Sequence, residues 1–202
     1  MFVITSDQRN SRDGDDLVPP ALDLLDRLGE DRWAARPERT AGDEIQMATA
    51  DPALALATLL TLTRTGDWSV GVGAGPVERP LPSSVRAGRG IAFVAAREAV
   101  ERAKSASSRC TVVGGSGGHD ADALVALLID LRDRRSPEGW EVFDLLAEGM
   151  TQREAAERLG ISAGAVSLRA KAAGLRLEEA ATPALVHVLE HAADSPDDVD
   201  GP

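Results

Sequence analysis

Apolar residues in the first half of the chain fall in short runs that alternate with helical stretches, and in the second half they recur only at helical spacing. Phe2–Ser6 is short, apolar and β-prone, which predicts a strand. Leu17–Leu28 predicts a helix, and its first turn accepts Pro19 and Pro20 because first-turn amides need no intrahelical partner. Glu38–Ala41 and Ile45–Thr49 read as two arms of a hairpin bent at Gly42 and Asp43. Asp51 caps a Leu- and Ala-rich helix that opens on Pro52 and runs to Arg64. Trp68–Gly73 predicts a strand with Val70 and Val72 on one side. After a loop rich in Pro, Ser, Gly and Arg, Ile91–Ser105 is an amphipathic helix and Cys110–Val113 a last strand. Strands and helices thus mix in the first half, and the whole reads as an α+β chain with an all-α second half.

The second half holds Asp120–Arg135 and Pro137–Met150 as helices, then a closely spaced pair, then Arg176–Ala193 with a kink or break expected before Pro183. The pair, Thr151–Leu175, carries the densest set of local signals. Thr151 and Glu154 have the spacing of a capping box, and Gly160 supplies a residue that enters the left-handed conformation cheaply. Ser162 caps the next helix. Ala155, Leu159, Val166 and Ala170 form the inward stripe, and small Ala155 and Val166 let the helices cross closely. Two short helices with a tight turn are the arrangement that sets a recognition helix in a DNA major groove, so a helix-turn-helix unit without a wing is expected. The Gly114–Gly118 run has no side chains to pack and reads as a linker. The expected organisation is residues 1–113, a linker at 114–118, a helical DNA-binding domain at 119–193 and an acidic, disordered tail at 194–202.

Charge narrows this reading. The chain of 202 residues carries a net charge of −11, unfavourable for binding DNA. The acid is uneven, however: Asp13, Asp15 and Asp16 cluster early, and Glu190, Asp194, Asp197, Asp198 and Asp200 crowd the end. Between Thr151 and Arg176 five bases stand against two acids. Modest affinity, a homodimer, or both are the expected outcome. One cysteine, Cys110, fits a reducing compartment. No apolar run approaches the roughly 20 residues needed to span a bilayer. A cytoplasmic protein without membrane insertion is expected.

Candidate DNA contacts follow from helix geometry. Thr151, Gln152 and Arg153 open the first helix of the pair, where free amides and the helix dipole favour a phosphate. Ser162, Ala163 and Gly164 open the second, with Ser167 and Lys171 four residues apart on its outward face. Arg169 is either a DNA contact or a surface cation that pairs with an acid.

Asp7 closes the first strand, and Asp43 and Glu44 lie at the hairpin. Carboxylates on adjacent strands can converge on Mg²⁺ or Mn²⁺ and its phosphates, although a Gly-Asp turn is more often only a turn. His187 and His191 have a metal-capable spacing but no evident third ligand. Gly71–Gly75, a GVGAG run, leads into Pro76 and not into a helix, so it is not a dinucleotide loop.

The order of Asp7 after its strand, TAGDEI at Thr40–Ile45, WSVGVGAGPV at Trp68–Val77 and FVAAREAV at Phe93–Val100 resembles the SatD family, over most of residues 1–113. That family is similar in outline to the palm-like domains of class III nucleotidyl cyclases and GGDEF diguanylate cyclases. The resemblance implies a ferredoxin-like, palm-like sheet, metal ligation by Asp7, Asp43 and Glu44, and nucleotide contacts from Arg86, Arg89 and Arg97. Ala41 replaces the first glycine of GGDEF, and Phe93 and Gly90 stand where a cyclase carries its Asn and purine-selecting Asp. Phe cannot supply the hydrogen bonds of Asn. The expectation is a DNA-binding transcriptional regulator whose cyclase-like half senses a nucleotide or holds a dimer. The alternative is a metal-dependent nucleotidyl cyclase controlled by its helical half.

Overall fold

A computed structural model of the chain describes residues 1–12 and 14–194. Asp13 of the early acidic cluster and residues 195–202 of the expected tail lie outside the described residues. Over the described residues the protein is α+β and divides into two compact units, one of 1–127 with 185–194 and one of Leu128–Ala184.

The first unit is built on a mixed sheet. Its strands are β1 (Phe2–Gln8), β2 (Trp33–Ala41), β3 (Glu44–Thr49), β4 (Trp68–Ala74) and β5 (Cys110–Val113), in spatial order β2-β3-β1-β4-β5. β1 is antiparallel to both β3 and β4, β2 is antiparallel to β3, and only β5 runs parallel, beside β4. Between them lie helices α1 (Val18–Gly29), α2 (Pro52–Thr63) and α3 (Ile91–Ala103). α2 begins where expected, because the Asp51 carboxylate accepts from the amides of Ala53 at 2.8 Å and Leu54 at 3.2 Å.

Both sheet faces are buried. Val3, Thr5, Gly71 and Gly73 face α3, and Val3 packs with Ala48, Val85, Ala92, Phe93 and Ala96. α3 lies so close to β4 that a Cβ on Gly71 would stand 2.1 Å from the Val100 nitrogen, and one on Gly73 2.1 Å from the Ala92 carbonyl oxygen. The glycines of the GVGAG run are therefore a seat for α3. On the opposite face Phe2, Ile4, Ile45, Met47, Val70 and Val72 are fully or nearly fully buried.

Both sheet edges carry features that discourage a further strand. β2 carries Pro37 and has irregular register against β3 between Trp33 and Ala41, and β5 has its outward Val112 amide capped by Asp122 at 2.8 Å. β2 begins at Trp33, five residues before the expected arm, because Pro37 and irregular pairing leave no period-2 pattern in the sequence there. The Gly114–Gly117 stretch is packed in this unit, with the Gly115 amide donating to the Ala192 carbonyl at 2.8 Å. Bare backbone can lie close against a helix end, and α4 (Gly118–Asp133) starts inside the run. The units part within α4 and within α8 (Leu175–Ala193), not at the expected linker.

The second unit is helical, made of the end of α4, α5 (Pro137–Ala147), α6 (Gln152–Leu159), α7 (Ala163–Ala172) and the start of α8. Val142, Ala155, Ala156, Val166 and Ala170 form its small apolar core, with Leu145, Leu146, Leu159, Ile161 and Leu175 around them. A second, charged cluster lies beside it. Glu178 accepts from both Arg132 and Arg135, and Arg135 Nε donates to the Ala173 carbonyl, at the C-cap of α7, at 2.8 Å. The guanidinium carbons of Arg132 and Arg135 lie 4.9 and 4.8 Å from the Trp140 ring and 5.4 and 5.1 Å from Phe143. α8 continues through Pro183 as one helix, without a break there.

Candidate functional site

The α6–α7 pair is built by its own sequence. Thr151 Oγ1 accepts from the Glu154 amide at 3.3 Å, and the Glu154 carboxylate takes the Thr151 amide at 2.7 Å, a complete capping box. That amide bond, with the Thr151 hydroxyl, holds the Glu154 carboxyl below its ordinary range. Gly160 stops α6 at φ 65°, a left-handed conformation that a side chain would strain. Ser162 Oγ then accepts from the Ala165 amide at 3.1 Å and starts α7. Three residues, Gly160–Ser162, thus separate the helices.

The expected contact residues divide into two groups. Ser162, Ala163, Gly164, Ser167 and Lys171 are all exposed along α7, beside Leu168, which is 70% exposed. Thr151 and Arg153 are exposed at the start of α6, and Gln152 is half-buried. Arg169 lies 3.4 Å from Glu141, and Arg153 lies 3.5 Å from Glu157. Both are surface pairs that a polyanion can replace at little cost. A cleft of about 540 Å³ runs along this side of the unit, with Gln152, Ser167, Lys171 and Arg176 on its walls. Arg176, at the start of α8, is an additional cation that helix-pair spacing did not single out.

At the other candidate site, Asp7 and Glu44 stand directly opposite each other across β1 and β3. The Asp43 carbonyl accepts the Gln8 amide at 3.1 Å, which closes the hairpin end on β1. Asp7, Asp43 and Glu44 are thereby brought to one end of the sheet. Arg86 and Arg89 are exposed on the segment that Glu38 ties down by accepting from Ser84 Oγ at 2.8 Å and the Val85 amide at 3.1 Å. Val85 packs on Val3, four residues and so about 13 Å along the strand from Asp7. Arg97 is exposed on α3, two turns before the cation that does reach the site.

That cation is Lys104, whose Nζ lies 3.3 Å from Asp7 Oδ2 and 2.8 Å from Glu101 Oε1. Burial pushes the Asp7 carboxyl above its ordinary range against the pull of Lys104, and the charge of Asp43 adds to the rise. The Asp43 carboxylate accepts from Ser11, and Glu44 accepts from Thr40. A neighbouring cleft of about 470 Å³ is lined by Ser11, Arg12, Arg39 and Asp43. Divalent ions need several oxygens at about 2.0–2.6 Å. Here each carboxylate is engaged by its own side-chain partner, and among the described residues no three His, Cys, Asp or Glu groups converge on a metal position. As arranged, the three acids do not fit a divalent ion.

The carboxylates were legible from strand ends and the hairpin turn, whereas Lys104, Arg12 and Arg39 arrive from elsewhere in the chain. Lys104 had one signal, its place seven residues after Arg97 on the same helical face. Cys110 is buried, and its thiol is pushed up by desolvation, as expected of an inert core residue. His187 and His191 stack edge to face at 4.3 Å, and the His187 carbonyl engages His191 Nδ1 at 2.8 Å. Among the described residues no helix is long and apolar enough to cross a membrane. Comparison of the chain with protein-family models, curated proteins and solved structures gives no match.

Proposed function

We propose that this chain is a DNA-binding transcriptional regulator, in which the helical unit reads double-stranded DNA and the sheet unit serves as nucleotide sensor, dimerisation module or both. One observation carries the DNA reading. α6 and α7 are joined by three residues, and the outward face of α7 presents Gly164, Ser167 and Lys171, all exposed. Arg153, beside the start of α6, suits one phosphate, and Lys171 suits another. Small Ala163 and Gly164 allow close approach and offer little hydrogen-bond reading, so affinity is modest and a dimer placing two such faces on one site would raise it.

The cyclase-like reading of the sheet unit rests on the resemblance to the SatD family and on topology. The βαββαβ order and the antiparallel spatial order β2-β3-β1-β4 support the ferredoxin-like, palm-like reading. In the neighbouring cleft, Arg12 and Arg39 are the cations a nucleotide phosphate would meet, with Arg39 exchanging its pairing to Asp16. Turnover is the weaker reading, because Phe93, in the place of the cyclase Asn, is 2% exposed and packed in the core with Val3 and Ala48.

DNA binding is tested by fluorescence anisotropy of the full chain on duplexes from its own promoter region, at salt from about 50 to 200 mM. Arg153→Ala/Lys171→Ala lowers affinity and reduces the salt slope by roughly 2, about one unit for each phosphate left without its cation. Unchanged binding in the double variant would sink the assignment of α6 and α7. The sensor role is tested by thermal shift with ATP and GTP, a shift with either supporting it and none leaving the unit a dimerisation module.

A further inference from the structure

The three carboxylates at the end of β1 and the β2–β3 hairpin pose an electrostatic problem that the chain solves internally. Asp7 and Glu44 are directly opposed cross-strand acids, an arrangement that is destabilising on its own. Asp43 adds a third negative charge at the same end, and Asp7 is largely withdrawn from water, with 25% of its side chain exposed. A palm-like domain of the cyclase kind would balance such charge with divalent ions. Here a tethered ammonium stands 3.3 Å from Asp7.

We propose that Lys104 is the built-in cation of this site: it takes the place of a divalent ion, so that the three carboxylates hold none. Three features support this. Lys104 follows the last turn of α3, and that helix is fixed by the close seat on Gly71 and Gly73, so the ammonium is delivered to a defined position. Glu101, 2.8 Å away, holds it from the other side. The remaining acids have neutral donors of their own, Ser11 for Asp43 and Thr40 for Glu44, which satisfy carboxylate oxygens that a metal would otherwise claim. Tethering also matters for competition. A group held on a short connection acts at an effective concentration on the order of millimolar or above. Free Mg²⁺ must compete with that for a site whose ligands are not yet converged.

The inference rests on the cyclase-like reading of the sheet unit, and the probe is Mn²⁺ alone, so it is judged apart from any nucleotide or DNA result. Mn²⁺ is titrated into the full chain and followed by calorimetry and by loss of the free-ion spin-resonance signal. Wild type shows no saturable site below about 1 mM, the weak end of the range for oxygen-ligated divalent ions. Lys104→Met acquires one at least tenfold tighter, and Asp7→Asn in the same chain removes it again. Lys104→Gln, which keeps a polar end, gives the same gain and guards against a folding defect in the Met variant; circular dichroism confirms the fold of each. Tight Mn²⁺ binding by wild type overturns the proposal, as does failure of both folded Lys104 variants to gain a site. Absence of any thermal shift with nucleotides would instead strike the sensor reading.

Discussion

The buried charges of the helical unit make a sharp prediction about which residue matters most. Two guanidinium groups share one carboxylate, and the side chains of Arg132, Arg135 and Glu178 are 7%, 0% and 10% exposed. Replacing Glu178 by Gln leaves two like charges buried without their common anion, and breaking a buried pair in this way costs about 3–5 kcal/mol. Replacing Arg132 by Met leaves Arg135 and Glu178 as a paired couple. The charge-assisted bond to Glu178, worth roughly 1.5–3 kcal/mol, and the stacking on Trp140 and Phe143 are lost, but removal of a neighbouring positive charge offsets part of this, so the cost stays below that of Glu178→Gln. In the double variant the two effects do not add, with a coupling of roughly 1–3 kcal/mol. Urea unfolding followed by Trp140 fluorescence, in a Trp33→Phe/Trp68→Phe background, reports on this unit. Should Glu178→Gln unfold it in buffer alone, the ranking still stands. An Arg132→Met variant as unstable as Glu178→Gln would refute the charge accounting.

Two further outcomes follow from the sheet unit. Because burial raises the Asp7 carboxyl, the folded chain holds a proton there more readily than the unfolded chain does. Its stabilising contribution is complete below the ordinary value of 3.8 and is lost as pH rises through the folded value. Asp7→Asn therefore raises the Tm at pH 7, and its advantage shrinks as pH falls toward that value; calorimetric melts showing a lower Tm at pH 7 would contradict this. Gly73→Ala places a methyl group 2.1 Å from the Ala92 carbonyl oxygen and 2.2 Å from the Ala96 nitrogen, with backbone on both sides. It destabilises by about 1–3 kcal/mol or more, measurable as a lower urea midpoint.

What was legible in the sequence was local. Asp51 with Pro52, Thr151 with Glu154, and Gly160 with Ser162 each act within a turn or two of their own position, and the helix starts and stops they predict are the ones formed. The hairpin bend at Gly42 and Asp43 is of the same kind. What was not legible depends on residues far apart in the chain. Arg132 and Arg135 meet Glu178 across more than forty residues, and no periodicity records that meeting. Lys104 reaches Asp7 only because β4 offers glycines under α3. The glycine run at Gly114–Gly118 misled for a related reason: lack of side chains permits flexibility and equally permits close packing, and only the neighbouring Ala192 carbonyl decides between them.

The closed sheet edges restrict how copies of this chain can associate. With Asp122 on the Val112 amide at one margin and Pro37 within an irregular strand at the other, both edges are poor templates for a second strand. Joining two copies into one continuous sheet, or stacking edges as fibres do, is therefore disfavoured at both margins. A dimer made instead by side chains on helix surfaces could have its strength tuned by a few substitutions without disturbing the sheet.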